Sequence, residues 1–201
     1  MSFEPTQESV RTHRVPRWFD DAKLGIFLHW GLYSVPAWAP QVPDIHTILR
    51  DHDPAWLFRN SPYAEWYLNT MQLEGSPTAR HHADTYGAAT PSDAFRAPVD
   101  DASAHADLDA LADLCRRAGA GYVVLTTKHH DGFCLWPASE PHPAKGAYHA
   151  RRDLVGELTD AVRTAGLRMG LYYSGGFDWP FNDAVVRCVT DMVLDVPPST
   201  E

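Results

Sequence analysis

Gly121-Tyr-Val-Val-Leu-Thr-Thr-Lys-His-His130 is the stretch on which the fold turns. It opens on glycine, runs through β-branched and apolar residues, and ends in a lysine and two imidazoles. The run is nearly continuously apolar and does not alternate, the pattern of a strand buried on both faces of a parallel sheet. Upstream, Leu24-Gly-Ile-Phe-Leu-His-Trp-Gly31 has the same character, and downstream so has Arg168-Met-Gly-Leu-Tyr-Tyr-Ser174, closed by Gly175-Gly176. Helical spacing fills the gaps. Ala104, Leu108, Leu111, Cys115 and Ala118 recur at steps of three and four and stop at Gly119. Leu154, Leu158, Ala161, Val162 and Ala165 repeat the pattern, with Asp153 at the N-terminus and Gly166 as the stop. A helix is predicted around Tyr63 to Leu73, and another capped by Asn182 through Ala184, Val185, Cys188, Met192 and Val193. Repeated β/α units of this kind predict a parallel α/β sheet.

The spacing of the strands is uneven. Between His29 and Gly121 lies an excursion rich in proline (Pro36, Pro40, Pro43, Pro54, Pro62, Pro91, Pro98) and containing His81-His82. It is read as an insertion of long loops, which in compact domains are usually functional. Residues 1–16 are read as an extended lead-in and 17–201 as the folded unit.

The chain has 201 residues, 44% hydrophobic and 21% charged, so it is built to fold around one sizeable core. A net charge of −9 excludes a phosphate-tracking nucleic-acid binder. No run of 18 apolar residues exists, so no membrane span is expected. Three cysteines, Cys115, Cys134 and Cys188, are too few and too scattered for a disulfide framework. The polar start lacks an apolar signal core, which predicts a cytoplasmic location. Seven Trp, eight Tyr, eight Phe and eleven His supply aromatic faces and imidazoles suited to a polar ligand with flat apolar surfaces, or simply a large aromatic core.

All three strands end in imidazoles or phenols: His29-Trp30, Lys128-His129-His130-Asp131 and Tyr172-Tyr173-Ser174. Ligands of parallel α/β folds bind at that edge. A metal is disfavoured because His129 and His130, being adjacent, are expected to point to opposite sides of a strand. There is no Gly-x-Ser-x-Gly elbow, and Cys134 sits in an apolar run that reads as packed. Gly175-Gly176 lacks the company of a phosphate loop. Carbohydrate remains: aromatic rings meet C–H faces, while His, Glu and indole N–H groups meet hydroxyls. Glu65-Trp66-Tyr67, at the start of a helix in the excursion, offers a carboxylate beside an indole donor.

Several segments resemble the α-L-fucosidases of glycoside hydrolase family 29. They are Trp18-Phe-Asp-Asp-Ala-Lys-Leu-Gly-Ile-Phe-Leu-His-Trp-Gly31, Ser34-Val-Pro-Ala-Trp38, Glu65-Trp-Tyr67, Tyr122-Val-Val-Leu-Thr-Thr-Lys-His-His-Asp-Gly-Phe133, Arg152-Asp-Leu-Val155 and Gly170-Leu-Tyr-Tyr-Ser-Gly-Gly176. The resemblance implies the amino-terminal part of a (β/α)8-like TIM barrel, with about three to four β/α units. It implies a retaining exo-glycosidase that removes terminal α-linked L-fucose from a fucosylated oligosaccharide or glycoside, with no metal and no cofactor. His29, His129 and His130 resemble the imidazoles that bind the fucose hydroxyls, Glu65 and Trp66 the pair that also grips the sugar, and Tyr172 the active-site tyrosine. Tyr173 is then expected to point away into packing. The family's aspartate nucleophile and glutamate acid/base are expected beyond Glu201, so no catalytic residue is assigned here. Asp131 and Asp178 have no support from the family pattern as substitutes. The stretch from Ala138 to Ala150, with His142, Pro143 and Lys145, departs from the family. A non-catalytic fucose-binding remnant is the second reading and a metal-dependent barrel hydrolase the third. Self-association of the full-length enzyme stays open.

Overall fold

The computed structural model describes residues 3–182, 185–189 and 191. Three strands, β1 (Gly25–Leu28), β2 (Tyr122–Lys128) and β3 (Arg168–Tyr173), pair in parallel in the order β1-β2-β3. In register across the sheet, Phe27 pairs with Val124 and Val124 with Gly170, while Leu28 pairs with Leu125 and Leu125 with Leu171. The three apolar runs thus give the three strands, each with its polar end at the same edge.

The crossover helices form where the periodicity places them. Leu154–Thr164 begins at Asp153, whose carboxylate accepts from the Gly156 N–H at 2.8 Å. It ends at Gly166, φ 79°, with Leu167 N–H donating to the Val162 carbonyl at 3.0 Å, a six-to-one closure that needs the left-handed glycine. The helix before β2 ends in the same way at Gly119, φ 87°. Its start differs from the expectation. Ala104 closes a separate helix, Arg96–Ala104, and the next one, Leu108–Arg117, begins after Asp107. Asp107 accepts from the Ala110 N–H at 2.9 Å, which sets the start there.

Leu108, Ala112, Cys115, Leu154, Leu158 and Val162 pack in one buried cluster with Val123 and Leu125 of β2. Each fully buried leucine or valine contributes about 1.5–3 kcal/mol. The opposite face carries Phe27, which is 48% exposed, with Val124 and Tyr172 half-buried beside it. The expectation of strands buried on both faces therefore holds for the helix side of β2, whereas Leu171, in register with Leu125 on β3, is 59% exposed.

The excursion between His29 and Gly121 is mostly helical, contrary to the reading of long loops. Asp44, Asp53 and Ser76 cap helices at Ile45–Asp51, Pro54–Arg59 and Pro77–Tyr86. Pro54 and Pro77 sit in the first turn, where a missing N–H costs nothing. The lead-in contains a short helix at Gln7–Arg11, capped by Thr6, and is not wholly extended. The helix predicted from Asn182 does not form as expected: Asn182 ends a short helix, Trp179–Asn182, and residues 185–187 are non-helical. The amide of buried Asn69 holds both backbone groups of Val186 instead, at 2.9 and 2.7 Å. Ala184, Met192 and Val193 lie outside the described residues. No helix among the described residues is long and apolar enough to cross a membrane.

Candidate functional site

Thr126 organises the edge. Its hydroxyl accepts from the Trp30 N–H at 3.0 Å and lies 3.2 Å from the Tyr33 hydroxyl. This fixes the turn after β1 that carries His29 and Tyr33. One residue later the register of β2 against β3 shifts between Thr126 and Lys128. Thr127 donates to the Tyr172 carbonyl at 2.8 Å, and the Ser174 N–H donates to the Lys128 carbonyl at 3.0 Å. The strand ends at Lys128. His129 and His130 therefore do not take opposite sides as expected. Their ring centroids are 4.0 Å apart, because both lie past the strand's last residue and beyond an irregularity that breaks the two-residue alternation.

All six sequence-predicted residues converge here. His29 Nδ1 is 2.6 Å from Glu65 Oε1. The His129 ring is 5.9 Å from those of His29 and Tyr172 and 5.5 Å from that of Tyr33. His130 Nδ1 is 2.6 Å from Ser174 Oγ, and its ring meets Trp66 edge-on at 5.6 Å. Glu65 and Trp66 share a short 3-10 turn, Ala64–Trp66, and the Trp66 carbonyl accepts from the Thr70 hydroxyl at 2.9 Å. Trp179 stacks edge-on against both Trp66 and His130. Tyr173 does point away from the cluster, but not into packing. It is 58% exposed on the edge strand, with the Lys128 ammonium 4.9 Å from its ring centre.

The electrostatics of the edge are set by burial. His129 is driven down to about 3, by burial first and then by the neighbouring His130, His29 and Lys128. Burial, then Lys128, takes His130 down to about 4. Both imidazoles are neutral near pH 7, able to accept and donate without carrying charge. Lys128 is committed elsewhere: its Nζ is 2.7 Å from Asp178 Oδ2, while Asp178 Oδ1 lies 3.1 Å from His142 Nε2. Burial raises the Cys134 thiol to about 11, which removes it as an activated nucleophile. Among the described residues, no three His, Cys, Asp or Glu side chains converge as a metal site would need.

Sequence reasoning passed over Tyr33, Thr126 and Trp179. A threonine pair late in a buried strand was the available signal for Thr126. Tyr33 and Trp179 lie in segments whose course the periodicity could not trace.

The family model for α-L-fucosidase matches residues 1–192. The chain is 35% identical over 181 residues to the α-L-fucosidase of Dictyostelium discoideum, covering 88% of this chain and 34% of that protein. It is 35% identical over 178 residues to human tissue α-L-fucosidase, covering 86% and 32%. Among solved structures, the Thermotoga maritima α-fucosidase bound to a mechanism-based inhibitor superposes with a TM-score of 0.81 at 42% identity, over 99% of this chain and 44% of that one. The same enzyme in complex with fucose gives 0.80 at 43% identity, over 99% and 44%. With its parallel α/β sheet and its edge of imidazoles and indoles, this chain belongs to the α-L-fucosidase family of glycoside hydrolases. It spans about a third of the length of the curated relatives it matches.

Proposed function

We propose that this chain is the amino-terminal part of a (β/α)8-type α-L-fucosidase barrel and supplies much of its fucose-recognition half. The observation that carries this reading is the convergence of His29, Glu65, Trp66, His129, His130 and Tyr172 at one strand edge. Neutral His129 and His130 suit uncharged hydroxyls. The Glu65 carboxylate holds His29 and keeps a second oxygen for a sugar hydroxyl. Trp66 and Tyr172 offer ring faces to the C–H side of the pyranose.

Retaining hydrolysis needs two carboxyl groups roughly 5–5.5 Å apart across the scissile bond. The acids at this edge have other commitments. Glu65 is paired with His29, Asp178 with Lys128 and His142, and Asp131 is buried. The nucleophile and acid/base are therefore assigned to the remaining length of the enzyme. The test is hydrolysis of a chromogenic α-L-fucoside by the 201-residue chain and by a carboxyl-terminally extended form. Activity is expected in the extended form alone. Robust turnover by the 201-residue chain would refute the division of labour, and an inactive extended form would refute the fucosidase reading.

A further inference from the structure

Asp131 follows the two imidazoles, yet it faces inward and is 3% exposed. Its Oδ1 accepts from the Phe133 N–H at 3.1 Å. Its Oδ2 is fully buried and has no hydrogen-bond partner within the protein. Such a group is costly unless it is satisfied, so Oδ2 asks for an explanation. A small cavity of about 10 Å³ beside it supplies one. Its polar lining is Tyr33, Glu65, Ser92 and Asp131, and its apolar lining includes Leu32 and Phe95. The volume is at the lower bound for one water, whose polar partners would be drawn from these four side chains.

We infer that Asp131 is a positioning residue for the sugar site, holding Glu65 through one buried water so that Glu65 in turn holds His29. The inference deepens the fucosidase reading and rests on it for the roles of Glu65 and His29. The 3-10 turn that carries Glu65 starts at Tyr63 with no side-chain cap to fix it. A water bridged to Asp131 restrains the carboxylate from behind while His29 restrains it in front, at 2.6 Å. The acid form of Asp131 is the one that donates toward a carboxylate. Burial raises the Asp131 carboxyl to about 7, against the Phe133 N–H and Lys128, which lower it; Asp178 raises it further. Tyr33, Glu65, Cys134 and Tyr148 also face it, and none of them is a cation. Ionisation of Asp131 would place a second negative charge behind Glu65 and loosen the arrangement.

The experiment compares Asp131→Asn and Asp131→Leu in the carboxyl-terminally extended enzyme. Asparagine keeps an acceptor for Phe133 and a permanent donor for the water; leucine keeps neither. KM of the wild type for a chromogenic α-L-fucoside is expected to rise above pH 7, and Asp131→Asn is expected to hold it within about twofold of wild type at pH 6 and to flatten that rise. Asp131→Leu is expected to raise KM about tenfold with kcat little changed, the mark of lost ground-state and transition-state binding alike. The NMR signal of the His29 Nδ1 proton should persist in the asparagine variant and broaden or vanish in the leucine variant. That signal needs no fucosidase activity, so it decides the inference even if no fucoside is cleaved. An unchanged His29 signal and KM in Asp131→Leu would overturn the inference. Should Asp131→Leu fail to fold, a KM–pH profile in Asp131→Asn identical to wild type overturns it.

Discussion

Replacing Thr126 with valine tests how the fold builds the site. The side chains are nearly isosteric, so packing volume is conserved while one hydroxyl is lost. That hydroxyl is completely buried. It accepts from the Trp30 N–H at 3.0 Å and sits 3.2 Å from the Tyr33 hydroxyl. Valine leaves both of those polar groups without this partner, and each buried orphan costs about 1–3 kcal/mol, for a total of about 2–6 kcal/mol. In a domain of this size that corresponds to a Tm lower by roughly 4–24 °C. The assay is urea unfolding of wild type, Thr126→Val and Thr126→Ser, read as a shift in midpoint at constant slope. Serine keeps the hydroxyl and loses one methyl, so it is expected to cost about 1 kcal/mol. The reasoning fails if valine lies within about 0.5 kcal/mol of wild type, or if serine is the more damaging of the two.

Glu65→Ala removes the anchor of His29 and is expected to raise KM for an α-L-fucoside in the extended enzyme by at least about tenfold, equivalent to about 1.4 kcal/mol; equal KM values would refute the anchoring role. Asp153→Ala removes the cap of the 154–164 helix and is expected to cost about 1 kcal/mol by urea unfolding. Between about pH 4 and 6.5, unfolding takes up protons at His129 and His130, whose folded values lie near 3 and 4, and releases one from Asp131, held near 7. The net uptake of about one proton makes stability rise with pH by about 1.4 kcal/mol per unit from these three groups, and Asp131→Asn should steepen the slope toward two protons. A pH titration of the urea midpoint checks both slopes.

What the sequence made legible was local. The β2 and β3 runs are apolar enough that their ends fall within two residues of the expected places, and the glycine stops at Gly119 and Gly166 are chemically forced. The six candidate residues were legible because each lies at a strand end or in the acid-indole pair Glu65-Trp66. What was missed depends on tertiary structure. The two-residue period assigned His129 and His130 to opposite sides, but the irregularity near Lys128 cancels that period. The apolar pattern of Asn182 through Val193 favoured a helix, yet Asn69, far upstream, claims the Val186 backbone. Asp131 read as an ordinary strand-end acid, and no local pattern reveals that its second oxygen is buried without a partner.

These features together make the edge electrically quiet. His129 and His130 are neutral, Lys128 is buried against Asp178, and Asp131, raised to about 7, is about half in the acid form at neutral pH. The charge that remains near the imidazoles is Glu65, itself engaged with His29. An anionic ligand would meet that carboxylate and no uncommitted cation among these groups, and it would shed its own hydration without recompense. A neutral polyol loses far less hydration and finds oriented donors and acceptors in place of water. The burial that depresses the two imidazoles thus favours the neutral polyol of the proposed reading. The register shift that brings them side by side gives that class two adjacent partners, where a regular strand would have offered one.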